Sequence, residues 1–394
     1  MSEWKKVKLG ECITTKKGFA FKSALYTPKG VPVVRVSDFT LNSITDKDLV
    51  YYPVSEYNNY KDYVLTEKDI LVQTVGSWQY NPNSVVGKVV RVPYYHQGSL
   101  LNQNIVKIIP IECIDKDYLY YRIKCVDFSG YVIGEARGAA NQASITLDTI
   151  KRFAFLLPPK DVQERIGATL SRYDSLIENY QKQIKLLEES AQRLYKEWFI
   201  DLRFPGHENT KIIDGVPEGW EKKPVDSIYS IKYGKNLSTK LISESGEFPV
   251  YGANGVIGYY DKANCNEQVV LITSRGNGSG DVLMTYHKDA FITNNSFIVS
   301  PLEDYSYCQL PFTYLFLKNA NFRAVRTGAA QPQLTNQSIH TVDVVLPSKD
   351  VIIDYCDKAS YNNKKIILLK NQIRLLTEAR DRLLPKLMSG EIKA

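Results

Sequence analysis

The sequence predicts an α+β protein: two similar β-rich domains with short helices, separated by two long helices that pair as an antiparallel coiled coil. Three observations carry this prediction. The chain repeats itself, each copy opens on short apolar runs of strand character, and each closes on a heptad pattern. At 394 residues, 44% hydrophobic and 24% charged, the chain has the length and composition of two or three soluble globular domains. No run approaches the ~18–20 uncharged apolar residues of a membrane span. The opening MSEWKKVKLGECITTKKG lacks a secretory apolar core, so a cytoplasmic location is expected. Cys12, Cys113, Cys125, Cys265, Cys308 and Cys356 are scattered, which favours buried free thiols over a metal site or a disulfide framework.

The repeat shows in four blocks. WKKVKLGECITTKKG (Trp4 to Gly18) is echoed by WEKKPVDSIYSIKYG (Trp220 to Gly234), and LNQNIVKIIP (Leu101 to Pro110) by ITNNSFIVSP (Ile292 to Pro301). RGAANQASITLDTIKRFAFLLPPKDV matches TGAAQPQLTNQSIHTVDVVLPSKDV, and IKLLEESAQRL matches IRLLTEARDRL. The offset settles at 189 residues from Leu157/Leu346 to Leu194/Leu383. The order of the blocks implies two copies of one unit and a pseudo-twofold internal repeat.

In the first copy, VPVVRV, DILVQTV and VVGKVVRV read as strands between Gly, Pro and Asn punctuation. DYLYYRIKCV, and FTYLFLKNA in the second copy, read as short amphipathic helices on a sheet. The long helices follow. Ile166, Leu170, Tyr173, Ile177, Tyr180, Ile184, Leu187, Ala191, Leu194 and Trp198 alternate steps of four and three, an a/d seam. The second copy keeps Tyr355, Ala359, Ile366, Leu369, Ile373, Leu376, Leu383 and Leu387, with Asn362 and Arg380 interrupting the seam. Both helices start after a proline with an acidic first turn, at Asp161 and Asp350.

The expected division is 1–157 (first domain), 158–203 (first helix), 204–345 (linker and second domain) and 346–394 (second helix). The second helix can bury its seam by running back antiparallel to the first. Roughly 33 helical residues at ~1.5 Å each would make a rigid spacer of about 50 Å.

The charge is uneven. The net charge is +7, yet residues 220–345 carry 11 Lys/Arg against 11 Asp/Glu, and residues 1–157 carry 20 against 15. An anion-binding face on the second domain must therefore come from local clustering.

With these motifs in this order, the whole chain resembles the specificity subunits (HsdS) of type I restriction–modification systems. The resemblance rests on the paired W…G starts and the GAA…Q/N…T loop with its LPP/LPS-KDV helix entry. GVPEGW and the helix ends YKEWFIDLRFPG and LLPKLMSGEI complete it. It implies two α/β target recognition domains, each reading half of a bipartite, asymmetric double-stranded DNA target. It also implies helices that dock two modification (methyltransferase) subunits, with restriction (endonuclease/translocase) subunits joining them. The chain itself would be non-catalytic and without cofactors, S-adenosylmethionine, ATP and Mg belonging to the partners. A spacer of about 50 Å would span more than one ~34–36 Å turn of B-DNA.

Base reading draws on Arg, Lys, Asn and Gln, and phosphate anchoring on basic and hydroxyl groups. The candidates in the first domain are Lys16, Lys17, Lys22, Gln73, Ser77, Trp78, Gln79, Tyr80, Asn81, Asn102, Gln103, Asn104, Arg137, Asn141 and Gln142. In the second they are Lys235, Asn236, Arg275, Asn277, Asn294, Asn295, Arg323, Arg326, Gln331 and Gln333. For Asn102, Asn104, Asn294 and Asn295 the alternative is a tight hydrogen-bonded loop. For Gly138–Ala140 and Gly328–Ala330 it is a packing turn that needs small residues.

Motifs for catalysis are missing. SRGNGSG (Ser274 to Gly280) lacks the Lys of a phosphate loop. NPNS at Asn81 and LPPK are not the Asn/Asp-Pro-Pro-aromatic tetrad of an amino-methyltransferase. His96, His207, His287 and His340 form no triad pattern. Two other functions remain open: a specificity subunit of a related type II system with a fused methyltransferase–nuclease partner, and a coiled-coil scaffold that binds no DNA.

Overall fold

A computed structural model describes residues 4–40, 42–78, 84–139, 142–328 and 331–393. The chain folds as two compact units, Met1–Ile177 with Leu375–Ala394, and Glu178–Arg374. Each unit thus joins one domain to a stretch of both long helices.

The strands of the first unit are β1 (Lys5–Lys8), β2 (Ile13–Lys17), β3 (Val31–Val34), β4 (Val50–Tyr52), β5 (Ile70–Gln73) and β6 (Val75–Gly76). They continue with β7 (Val89–Arg91), β8 (Leu100–Leu101), β9 (Ile105–Pro110), β10 (Arg137–Ala139), β11 (Gln142–Ser144) and β12 (Ala154–Leu157). Its helices are α1 (Lys116–Lys124), α2 (Val126–Gly134), α3 (Leu147–Arg152) and the start of α4 (Lys160–Tyr195). The main sheet is antiparallel in the order β2-β9-β5-β7, and a second sheet, β4-β3-β8, holds β3 parallel to β8. β1 pairs with β12, tying the entry of the domain to its exit.

The central strand explains its own apolar run. On β5, Ile70 and Val72 join the core under α1 and α2, while Leu71 faces the opposite cluster with Val34, Val90 and Leu101. Both faces are covered, so no polar alternation survives.

The second unit contains β13 (Ile212–Ile213), β14 (Val216–Pro217), β15 (Glu221–Pro224), β16 (Tyr229–Tyr233), β17 (Phe248–Gly252) and β18 (Gly255–Tyr260). It continues with β19 (Val270–Thr273), β20 (Val282–Met284), β21 (Phe291–Ile292), β22 (Ser296–Pro301) and β23 (Asp343–Leu346). Helices α5 (Leu310–Asn319), α6 (Asn336–Ile339) and the start of α7 (Lys349–Ser389) complete it. β13 and β14 form a small hairpin. The topology repeats that of the first unit: β16-β22-β19-β20 is the main sheet, β18-β17-β21 the second with β17 parallel to β21, and β15 pairs with β23. Val270 and Ile272 again face one core and Leu271 the other.

The seam residues are all buried or half-buried, but their partners differ from those of a simple coiled coil. Ile166, Leu170, Leu383 and Leu387 pack into the first domain's core with Tyr118, Phe128 and Phe155. Ala191, Leu194, Trp198, Tyr355 and Ala359 pack into the second domain's core with Trp220, Phe312 and Val344. Tyr180, Ile184 and Leu187 meet Ile366, Leu369 and Ile373 helix on helix. A heptad records which face is buried and not what buries it. Within each unit the helices run antiparallel. Arg380, an interruption by sequence, is 5% exposed and bonds Asp174.

All six cysteines are free thiols. Cys113 is exposed, a departure from the expected burial. Among the described residues no helix is long and apolar enough to cross a membrane.

Candidate nucleic-acid interface

In each unit, four candidate segments converge at one end of the main sheet through backbone hydrogen bonds. In the first unit β2 ends at Gly18, whose N–H donates to Ile105 O at 3.0 Å, and Phe19 N–H donates to Leu101 O at 2.9 Å. Thr74 N–H donates to Asn104 O and Ile145 N–H to Thr74 O, both at 2.9 Å. The hairpin β10–β11 then joins β6, with Ala143 opposite Gly76. The second unit repeats each contact. Gly234 N–H donates to Ser296 O (3.0 Å), Lys235 N–H to Ile292 O (2.9 Å), Ser274 N–H to Asn295 O (2.8 Å) and Leu334 N–H to Ser274 O (2.8 Å).

The glycines that end the Trp-to-Gly motif are required by this crossing. A Cβ on Gly18 would run into the carbonyl oxygens of Leu101 and Asn102, and one on Gly234 into those of Ile292 and Thr293. The GAA glycines serve the same end: Gly138 and Gly328 have positive φ and their Cβ positions abut the Gln142 and Gln331 carbonyls. Here the packing-turn alternative has a physical basis.

Of the first-unit candidates, Lys17, Lys22, Gln103, Arg137 and Gln142 are exposed, and Lys16, Ser77, Trp78, Asn102 and Asn104 are half-buried. Lys16 lies 3.4 Å from Asp62 and over the Tyr63 ring. Lys22 starts the turn Ser23–Leu25, apart from the backbone bonds that join the cluster. Ser77 Oγ meets Ser84 Oγ at 2.9 Å, and Trp78 packs partly on the core. Gln73 departs from its expected surface role. It is fully buried, and its amide donates to the carbonyls of Val75 and Ser84, bracing the loop from behind. Gln79, Tyr80, Asn81 and Asn141 lie outside the described residues.

In the second unit Lys235, Asn236, Arg275, Asn277, Arg323, Gln331 and Gln333 are exposed, and Asn294, Asn295 and Arg326 half-buried. Arg275 bridges Gln333 and Thr327 bridges Gln333, so Gln333, just after the GAA motif, lies against the loop after β19. Arg323 is not free in the fold: its Nε donates to Asp281 at 2.9 Å. Arg326 Nε donates to the Arg323 carbonyl at 3.0 Å, so the pair braces the loop.

A buried hydroxyl layer under this cluster has no distinctive sequence signal beyond small polar residues after an apolar strand. Thr273 Oγ1 donates to Ala253 O (2.7 Å), Ser274 Oγ to Asn294 O (3.1 Å), and Thr293 Oγ1 to Tyr251 O (2.9 Å). Below it Tyr251 Oη and His287 Nδ1 lie 2.9 Å apart. Burial, and then Arg374, lower the His287 pKa, and burial raises that of Tyr251. Satisfied buried polar groups of this kind hold a loop in one conformation.

The arrangement defines a duplicated scaffold, with two loop clusters of one design and different exposed side chains. The chain belongs to the type I restriction modification DNA specificity domain family, whose model matches residues 1–189 and 217–367. It is 27% identical over 319 residues to the type I restriction enzyme MjaIX specificity subunit of Methanocaldococcus jannaschii, covering 74% of this chain and 72% of that one. It is 22% identical over 349 residues to the HindI specificity subunit of Haemophilus influenzae, covering 66% and 73%. The crystal structure of the type I S subunit from M. genitalium shares the fold, with a TM-score of 0.56 at 20% identity over 98% of this chain and 96% of that one.

Proposed function

We propose that this chain is the DNA-reading subunit of a type I restriction–modification complex, each domain recognising one half of a bipartite, asymmetric target. The observation that carries this reading is the loop cluster built twice on the same backbone bonds but with different outward side chains. Gln103, Arg137 and Gln142 stand on one, and Arg275, Asn277 and Gln333 on the other. Planar amides and guanidinium groups suit base edges in the major groove. Two modification subunits dock on the helices and restriction subunits join them. Methyl transfer and cleavage, with S-adenosylmethionine, ATP and Mg, take place on those partners.

Exchanging residues 220–345 for the matching segment of a relative, then mapping methylated bases genome-wide, tests the reading. One half of the target should change and the other persist. If both halves stay as they were, the second domain does not read DNA.

A further inference from the structure

At the constant offset of 189 residues, each seam position of α4 has a counterpart on α7, and several are identical: Ile177/Ile366, Ile184/Ile373, Leu187/Leu376 and Leu194/Leu383. Apolar residues alone would let α4 pair with a second α4 as well as with α7. The interhelical ion pairs break this equivalence.

In the first unit Arg380 Nη1 donates to Asp174 Oδ1 at 2.6 Å. The counterpart of Asp174 is Asn363 and that of Arg380 is Ala191; these two neutral residues line one cavity of the second unit. In the second unit Lys370 Nζ lies 3.3 Å from Glu188 and 3.4 Å over the Tyr286 ring. The counterparts of Lys370 and Glu188, Gln181 and Thr377, are also neutral. Both acids of these pairs lie on α4 and both bases on α7.

We propose that these charges decide which helix pairs with which. The α4 face accepts a helix with bases at the places of Lys370 and Arg380, which is α7, and rejects a second copy of α4. In an α4–α4 pair Asp174 would face Ala191 and Glu188 would face Gln181. In an α7–α7 pair Arg380, 5% exposed, would face Asn363, and Lys370 would face Thr377. Asp381 stays beside Arg380 at 2.7 Å in any pairing, so what is lost is the carboxylate of the opposite helix. An α7–α7 pair would leave the buried Arg380 without a carboxylate on the opposite helix, weakening pairing by on the order of tenfold or more; an α4–α4 pair would leave the part-exposed Asp174 and Glu188 without their bases at a smaller cost. Replacing the whole pair by apolar groups of like volume is often harmless, so specificity of partner is a role that bulk stability does not require.

Two full-length chains with different tags test this, one carrying D174K/E188K and the other K370E/R380E. Each alone sets like charges against each other across its own seam. Co-expressed, the altered α4 of one complements the altered α7 of the other, and the two native helices complement each other. The expected result is a 1:1 dimer of full chains in native mass spectrometry, with co-purification at least about tenfold above that of two differently tagged native chains. A milder pair, E188K with K370E, repeats the test with less disturbance of the buried core. If neither combination co-purifies above the native level, whether the chains fold singly or not, the charges do not set pairing and the proposal is overturned.

Discussion

Arg380 and Asp174, 206 residues apart, meet at 2.6 Å between the helices of the first unit, and Tyr121 Oη donates to the other oxygen of the same carboxylate. Burial opposes the charge on Arg380, but Asp174 and then Asp381 outweigh it, so its pKa is raised. Arg380 is therefore charged at any pH at which the fold persists. Truncation of Arg380 to Ala should destabilise the first unit by about 2–4 kcal/mol, toward the low side for a buried pair because Asp174 keeps partial solvent access. Replacing both residues, R380M with D174L, should cost about 1 kcal/mol or less. Urea unfolding of the two variants checks the contrast; equal losses would mean that the stranded carboxylate is not the cause.

Gly18→Ala and Gly234→Ala should each destabilise by about 1–3 kcal/mol, because the added methyl meets backbone carbonyls and has no flexible side chain to displace. The effect should stay local. Hydrogen exchange should rise around residues 101–105 for the first variant and around 292–296 for the second.

DNA binding should separate positioning from reading. Lys235→Ala should weaken binding evenly across sequences and reduce the salt slope by about 0.9. Arg275→Ala should cost about 1–3 kcal/mol and relax preference at one base pair. Gln73→Ala should lower stability of the loop after β5 without altering base preference, because its amide faces inward. Titrations of variant and native protein at several salt concentrations distinguish the three.

His287 gives a pH dependence of known sign. Its pKa in the fold lies below the ordinary value of 6.5, since burial and then Arg374 disfavour the charged ring. Its contribution is complete above about pH 6.5 and is lost as pH falls toward the folded pKa, because the unfolded chain then binds the extra proton. His287→Gln should flatten the stability profile of the second unit between about pH 7 and 5. An unchanged profile would show that His287 does not set the slope.

Much of the architecture was legible because it is written in local periodicity. The runs VPVVRV and DILVQTV hold β3 and β5, and DYLYYRIKCV overlaps α1. The four-three seam marks residues that are buried or half-buried along the two long helices. The candidate loops, which stand out by their Asn, Gln and Arg between strands, converge at one end of each main sheet. Individual roles were less legible. Gln73 resembles a base reader by type, yet two carbonyls in its own loop claim its amide. Arg323 is a DNA-contact candidate by type, and Asp281, 42 residues away, is the partner that sequence could not supply.

The sequence alone determined the duplication, the β-rich character of each domain and the buried stripe on each helix, because repetition and periodicity need only neighbours along the chain. Tertiary structure alone decided what each stripe buries and which side chains the loops turn inward. It also decided that Arg380 completes the helix pair where the heptad pattern marks a break. Those outcomes depend on groups brought together from distant positions, where burial and a counter-charge change what one residue type can do.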